Sequence, residues 1–111
     1  MSRPPEPLNL LQAIPDPAAQ EQFVPLLREG GLLLEQIVSH GKASPEGFWY
    51  DQSQPEWVAL LRGTARLEFD NGARPLVAGD ALLIPAGCRH RVAECSPDAV
   101  WLALHFQATS E

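Results

Sequence analysis

The stretch from Gly79 to His90, GDALLIPAGCRH, leaves the chain little choice of fold. Gly79-Asp80 turns the backbone, and Ala81 to Ile84 is a short apolar run. Pro85 and Gly87 then stop any regular element and bend the chain, as residues at a barrel corner do. His90 opens the next run with its side chain directed inward. Punctuation this dense excludes a helix and predicts two short strands joined at a corner.

The rest of the chain after Gly31 follows the same rhythm. Strands are predicted at 32–39, 47–51, 56–62, 64–70, 73–77, 81–84, 89–95 and 99–106, separated by turn residues, which makes the domain all-β, a sandwich or barrel. In TARLEFD, Ala65, Leu67 and Phe69 alternate with Thr64, Arg66, Glu68 and Asp70, the period of a half-buried strand. Asn71-Gly72 predicts a type I′ hairpin turn.

Ahead of this region the pattern differs. Residues 1–15 contain four prolines and resist regular structure. Leu8, Leu10 and Leu11 suit an extended arm lying on another surface. Asp16 before Pro17 predicts a helix start, with Phe23, Leu26 and Leu27 on one face and Gly30-Gly31 as the stop. Pro25 restricts that helix to a short or broken one. The expected organisation is an arm and short helix over 1–30, a barrel domain over 31–107 and a tail over 108–111.

Composition removes several classes of function. The 111 residues are 45% apolar with a net charge of −6, enough to build one core and the wrong sign to track a phosphate backbone. Nucleic acid is not an expected partner. No apolar run approaches the ~20 residues that cross a bilayer. Two cysteines, Cys88 and Cys95, are too few for a disulfide scaffold, and without a charged-then-apolar leader the expectation is a cytoplasmic protein with free thiols. Their odd separation predicts opposite faces of one strand.

The pattern Gly79, Pro85, Gly87, His90 resembles the second motif of the cupin superfamily, G-x5-P-x-G-x2-H-x3-N, with Glu94 in place of the asparagine. The first motif, H-x-H-x(3 or 4)-E-x6-G, is matched in its second half by Glu56 and Gly63, with fifteen residues between Gly63 and Gly79. The resemblance covers about residues 31–106 and extends to small single-domain bacterial cupins. It implies a double-stranded β-helix, or jelly-roll barrel, usually a homodimer, with one divalent metal at the bottom of an open pocket. The chain departs from the pattern where the two histidines belong. Those positions fall on Trp49 and Asp51, or on Tyr50 and Gln52, according to the spacing used.

On that resemblance the candidate metal ligands are Asp51, Gln52, Glu56 and His90, an oxygen-rich set suited to Fe, Mn or Zn. Tyr50 and His105 are the candidate proton-transfer groups. Each has a plainer alternative. Glu56 shares its face with Val58 and Leu60 and enters the barrel with them, unless Trp57, Ala59 and Leu61 form the inner face and Glu56 is solvated. His90 could be a hydrogen-bonded core histidine, and Asp51 a turn cap in DQSQP. His105 alternates with Trp101 and Ala103, facing the pocket if Leu102, Leu104 and Phe106 pack outside. Cys88 reads as a small buried hydrophobe or a soft ligand, and His40 as a loop residue. Arg62, Arg66, Arg89 and Arg91 read as a solvated face, and Phe48, Trp49 and Tyr50 as core or interface. Three functions follow: a metal-dependent enzyme acting on a small molecule, a metal-poor module that binds or senses a small molecule, or a structural barrel.

Overall fold

The computed structural model describes residues 3–12 and 19–107. Within them lie eight strands and no helix: β1 Gln22–Glu29, β2 Leu32–Val38, β3 Glu56–Arg62, β4 Thr64–Phe69, β5 Gly72–Val77, β6 Ala81–Ile84, β7 His90–Cys95 and β8 Val100–His105. They form a five-stranded sheet, β1-β2-β8-β3-β6, and a three-stranded sheet, β5-β4-β7. All named pairings are antiparallel. The core lies between the sheets, with Val58, Leu60, Trp101, Ala103 and Ile84 from one and Ala65, Leu67 and Leu76 from the other.

The segment expected to be a helix is strand β1, paired with β2 through a two-residue Gly30-Gly31 turn that joins Glu29 to Leu32. Pro25 explains the difference. Proline lacks the N–H a helix interior requires, whereas an edge strand tolerates it at an irregularity. β1 is an edge strand, and its register shifts between Pro25 and Leu27. Phe23, Val24 and Leu27 remain exposed along it. The predicted helix cap, Asp16-Pro17, lies outside the described residues. Because β1 belongs to the larger sheet, the expected boundary between arm and barrel at residue 31 falls inside a hairpin. The arm itself lies against the outer face of this sheet, where Gln36 Nε2 donates to the Leu10 carbonyl at 2.6 Å and Arg62 to that of Leu11.

Three further expectations change. Residues 47–51 are not a strand, since only Tyr50 pairs, through reciprocal backbone bonds with His90. The β4–β5 hairpin forms with Phe69 opposite Gly72, but Gly72 alone carries a positive φ, so the turn is not type I′. Cys88 and Cys95 do not take opposite faces, because both pack against the core. A bulge explains this: Leu67 pairs with Val92 and Arg66 with Glu94, which leaves Ala93 unpaired and returns Cys95 to the side of Val92.

Candidate functional site

Period-2 alternation delivers the central carboxyl to the barrel interior. Glu56, Val58 and Leu60 are buried at 7%, 6% and 0% exposure while Trp57 stands at 36%, so Glu56 is an interior residue and the solvated alternative does not hold. Across from it, the corner made by Pro85 and Gly87 sets the start of β7. Gly87 adopts φ +75 and donates its N–H to the Gln52 carbonyl, tying the 50–52 segment to the corner. His90 then enters at 5% exposure. His105 reaches the same point from β8, where it pairs with Glu56 across the sheet.

These side chains meet. Glu56 Oε1 lies 3.5 Å from His90 Nε2, and Glu56 Oε2 lies 3.4 Å from His105 Nε2. His105 Nε2 also lies 2.9 Å from Glu35 Oε1. The cluster opens into a cavity of about 210 Å³ whose walls include Ile37, Val58, Leu67, Ile84, Val92 and Trp101. Tyr50, Gln52 and Glu21 also line it, and Tyr50 stacks on the His90 ring at a centroid distance of 5.3 Å.

Both ring nitrogens of His90 face acceptors, Nδ1 the Cys88 carbonyl at 3.0 Å and Nε2 the Glu56 carboxylate. Burial is the largest single influence and opposes the charged ring. The Glu56 hydrogen bond, the Cys88 carbonyl and the Glu56 charge together outweigh it, holding the His90 pKa above the usual 6.5. The Tyr50 phenol is pushed up, first by burial and then by the charges of Glu21, Glu56 and Glu35, so it remains a proton donor.

A folded-state pKa above the unfolded one means that His90 stabilises the fold fully below pH 6.5, and that this contribution is lost as pH rises through the folded value. A histidine-detected NMR titration should give His90 a midpoint above 6.5, falling in Glu56→Gln because burial then acts with one raising partner fewer. An unchanged midpoint in that variant would contradict the assigned cause.

Of the residues expected from sequence, Tyr50, Gln52, Glu56, His90 and His105 line one cavity, whereas Asp51 is exposed and lies outside that lining. Backbone pairing at Tyr50 decides this by turning the next side chain away from the barrel. Glu35 and Glu21 were not anticipated. The signal for Glu35 was present: a lone charge in LLLEQIV, two residues from Ile37 and therefore on its face. His40 is a loop residue but a buried one, with a positive φ and a 3.2 Å contact to the Gln22 side chain. Arg66 pairs with Glu94 and Arg89 with Asp70, the latter also over the Trp49 ring. Arg91 is structural, bonding Glu68 and the carbonyls of Ser44 and Phe48.

The metal that the fold family implies finds no assembled group of ligands among the described residues. Among the described residues, no three His, Cys, Asp or Glu side chains are grouped to hold an ion. With Asp51 turned outward, both Nε2 atoms in the cluster are directed at carboxylates of the same cluster.

Fold and cavity together define a small open β-barrel with an interior polar cluster. The chain belongs to the cupins: the Cupin domain family matches residues 35–105. A Ralstonia eutropha protein described as a candidate mannose-6-phosphate isomerase is 46% identical, superposes with a TM-score of 0.86, and is covered over 94% of this chain and 100% of its own. A Desulfitobacterium hafniense cupin superfamily protein is 18% identical (TM-score 0.76, covering 96% of this chain and 94% of its own). A conserved Streptococcus pyogenes protein of unknown function is 17% identical (TM-score 0.76, 98% and 93%). The latter two show the fold alone. No match was found among curated proteins. No helix among the described residues is long and apolar enough to cross a membrane.

Proposed function

We propose that this cupin is a binding module for a small organic molecule, with the ligand held by the Glu56 cluster in the barrel and no metal required. The observation that carries the reading is a buried carboxylate in contact with two histidines at the wall of an otherwise mostly apolar cavity. Ligand pockets have this construction: apolar walls supply area, and a few convergent polar groups fix orientation.

The test is a melting-temperature screen of a small-molecule panel in EDTA. A stabilising compound should keep its effect in the chelator and bind about 10- to 100-fold more weakly to Glu56→Ala, the worth of a hydrogen bond to a charged group. Near-stoichiometric metal in protein purified without chelators, lost in His90→Ala, would overturn the metal-free reading.

A second reading is acid–base catalysis, favoured by His105 Nε2 lying between Glu35 and Glu56 with the Tyr50 phenol across the same cavity. The description of the Ralstonia protein makes sugar isomerisation one reaction to assay. Such a reaction moves a proton between neighbouring carbons, and a histidine flanked by carboxylates is suited to take and return it. Turnover of an aldose or its phosphate that His105→Gln abolishes, with ligand affinity retained, would establish this reading over simple binding.

A further inference from the structure

We propose that the barrel cavity selects a small organic cation, of trimethylammonium size, over phosphorylated or neutral ligands; this rests on the binding reading above and names its ligand class. The charged groups in the lining decide the sign. Glu21, Glu35 and Glu56 face the cavity with His90 and His105, and the lining contains neither lysine nor arginine. Even with both imidazoles protonated, carboxyl groups outnumber cations. A phosphate is bound by arginine, lysine or the N-terminus of a helix. The described residues contain no helix, and Arg66, Arg89 and Arg91 are engaged with Glu94, Asp70 and Glu68.

Two independent features suit a cation in particular. Phe23, Tyr50 and Trp101 give the cavity aromatic walls, whose electron-rich faces attract an alkylammonium group. Glu21 is a half-buried carboxyl in the same lining with no hydrogen-bond or ion-pair partner among the described residues, and burial pushes its pKa up. A carboxyl in that position is compensated by a positive charge brought in by the ligand. The neighbouring charges on Tyr50 report the same field, since Glu21, Glu56 and Glu35 each disfavour a further negative charge there.

The experiment is calorimetric titration of the wild-type protein with choline, with its neutral isostere 3,3-dimethylbutan-1-ol, and with mannose 6-phosphate. Choline should bind at least tenfold more tightly than the isostere, with no heat from the sugar phosphate. Glu21→Gln should weaken choline about tenfold and leave the isostere unchanged. Equal affinities for choline and the isostere, both lost in Glu56→Ala, would overturn the cation preference while leaving the pocket in place. Tight binding of mannose 6-phosphate would likewise overturn it, as would the absence of choline binding, while the binding reading on which it rests stands or falls separately by the melting-temperature screen.

Discussion

Trp101→Ala should lower stability by about 3–5 kcal/mol, the range for deleting a buried aromatic. The side chain is 4% exposed, sits in the core cluster and lines the cavity. Its indole N–H also donates to Ser39 Oγ at 3.0 Å, and Ser39 is itself 1% exposed. Removing the ring therefore opens a void and takes one hydrogen-bond partner from a buried hydroxyl, which keeps its contact with Cys95. Trp101→Phe keeps most of the packing and loses only the hydrogen bond, so about 1–3 kcal/mol is expected there. Urea unfolding of the two variants checks the difference. Equal losses would mean that the hydrogen bond, and not the ring volume, dominates. The same ring lines the cavity, so on the proposed binding function the alanine variant should also bind less selectively.

Gly63→Ala should be nearly as damaging, at about 2–5 kcal/mol. Gly63 adopts φ +86, where an L-residue costs about 1–2 kcal/mol. A Cβ there would lie 2.3 Å from Ser96 Oγ, 2.9 Å from Asp98 Oδ1 and 3.0 Å from Ala99 Cα. Overpacking of that kind adds about 1–3 kcal/mol. The clash falls on a working contact, since Ser96 Oγ accepts from the Thr64 N–H and donates to Asp98. Gly87→Ala is the control: its φ is +75, but nothing lies within 4 Å of the added carbon. Chemical denaturation should give Gly87→Ala only the backbone cost. If the two variants unfold at the same denaturant concentration, the close approach at Gly63 is not what requires glycine.

Gly63 and Glu56 show how much of the site was legible in the chain itself. Both were assigned from a spacing, and alternation put Glu56 on the face of Val58 and Leu60, while only the burial of that face in the structure placed the carboxyl inside. The Gly79–His90 corner was legible for a similar reason. Proline and glycine restrict backbone angles locally, wherever the segment ends up.

The site's membership was less accessible. Asp51 was expected as a ligand because it stood where a family histidine would, yet the Tyr50–His90 backbone pair turns it to solvent. Glu35 enters because β2 pairs with β8 in a register that sets Leu33 opposite His105 and Glu35 opposite Ala103. No pattern within LLLEQIV states which strand will lie beside it.

The sequence by itself determined seven of the eight strands in outline, the corner before β7 and the shared face of Glu56, Val58 and Leu60, since these depend on residues a few positions apart. The tertiary structure alone decided that residues 22–29 extend as an edge strand, that the Ala93 bulge brings Cys95 to the core side, and that two glutamates from β2 and β3 share one histidine from β8. Each of those outcomes depends on strand neighbours and register. They are fixed by hydrogen bonds between segments tens of residues apart, where local preference is silent.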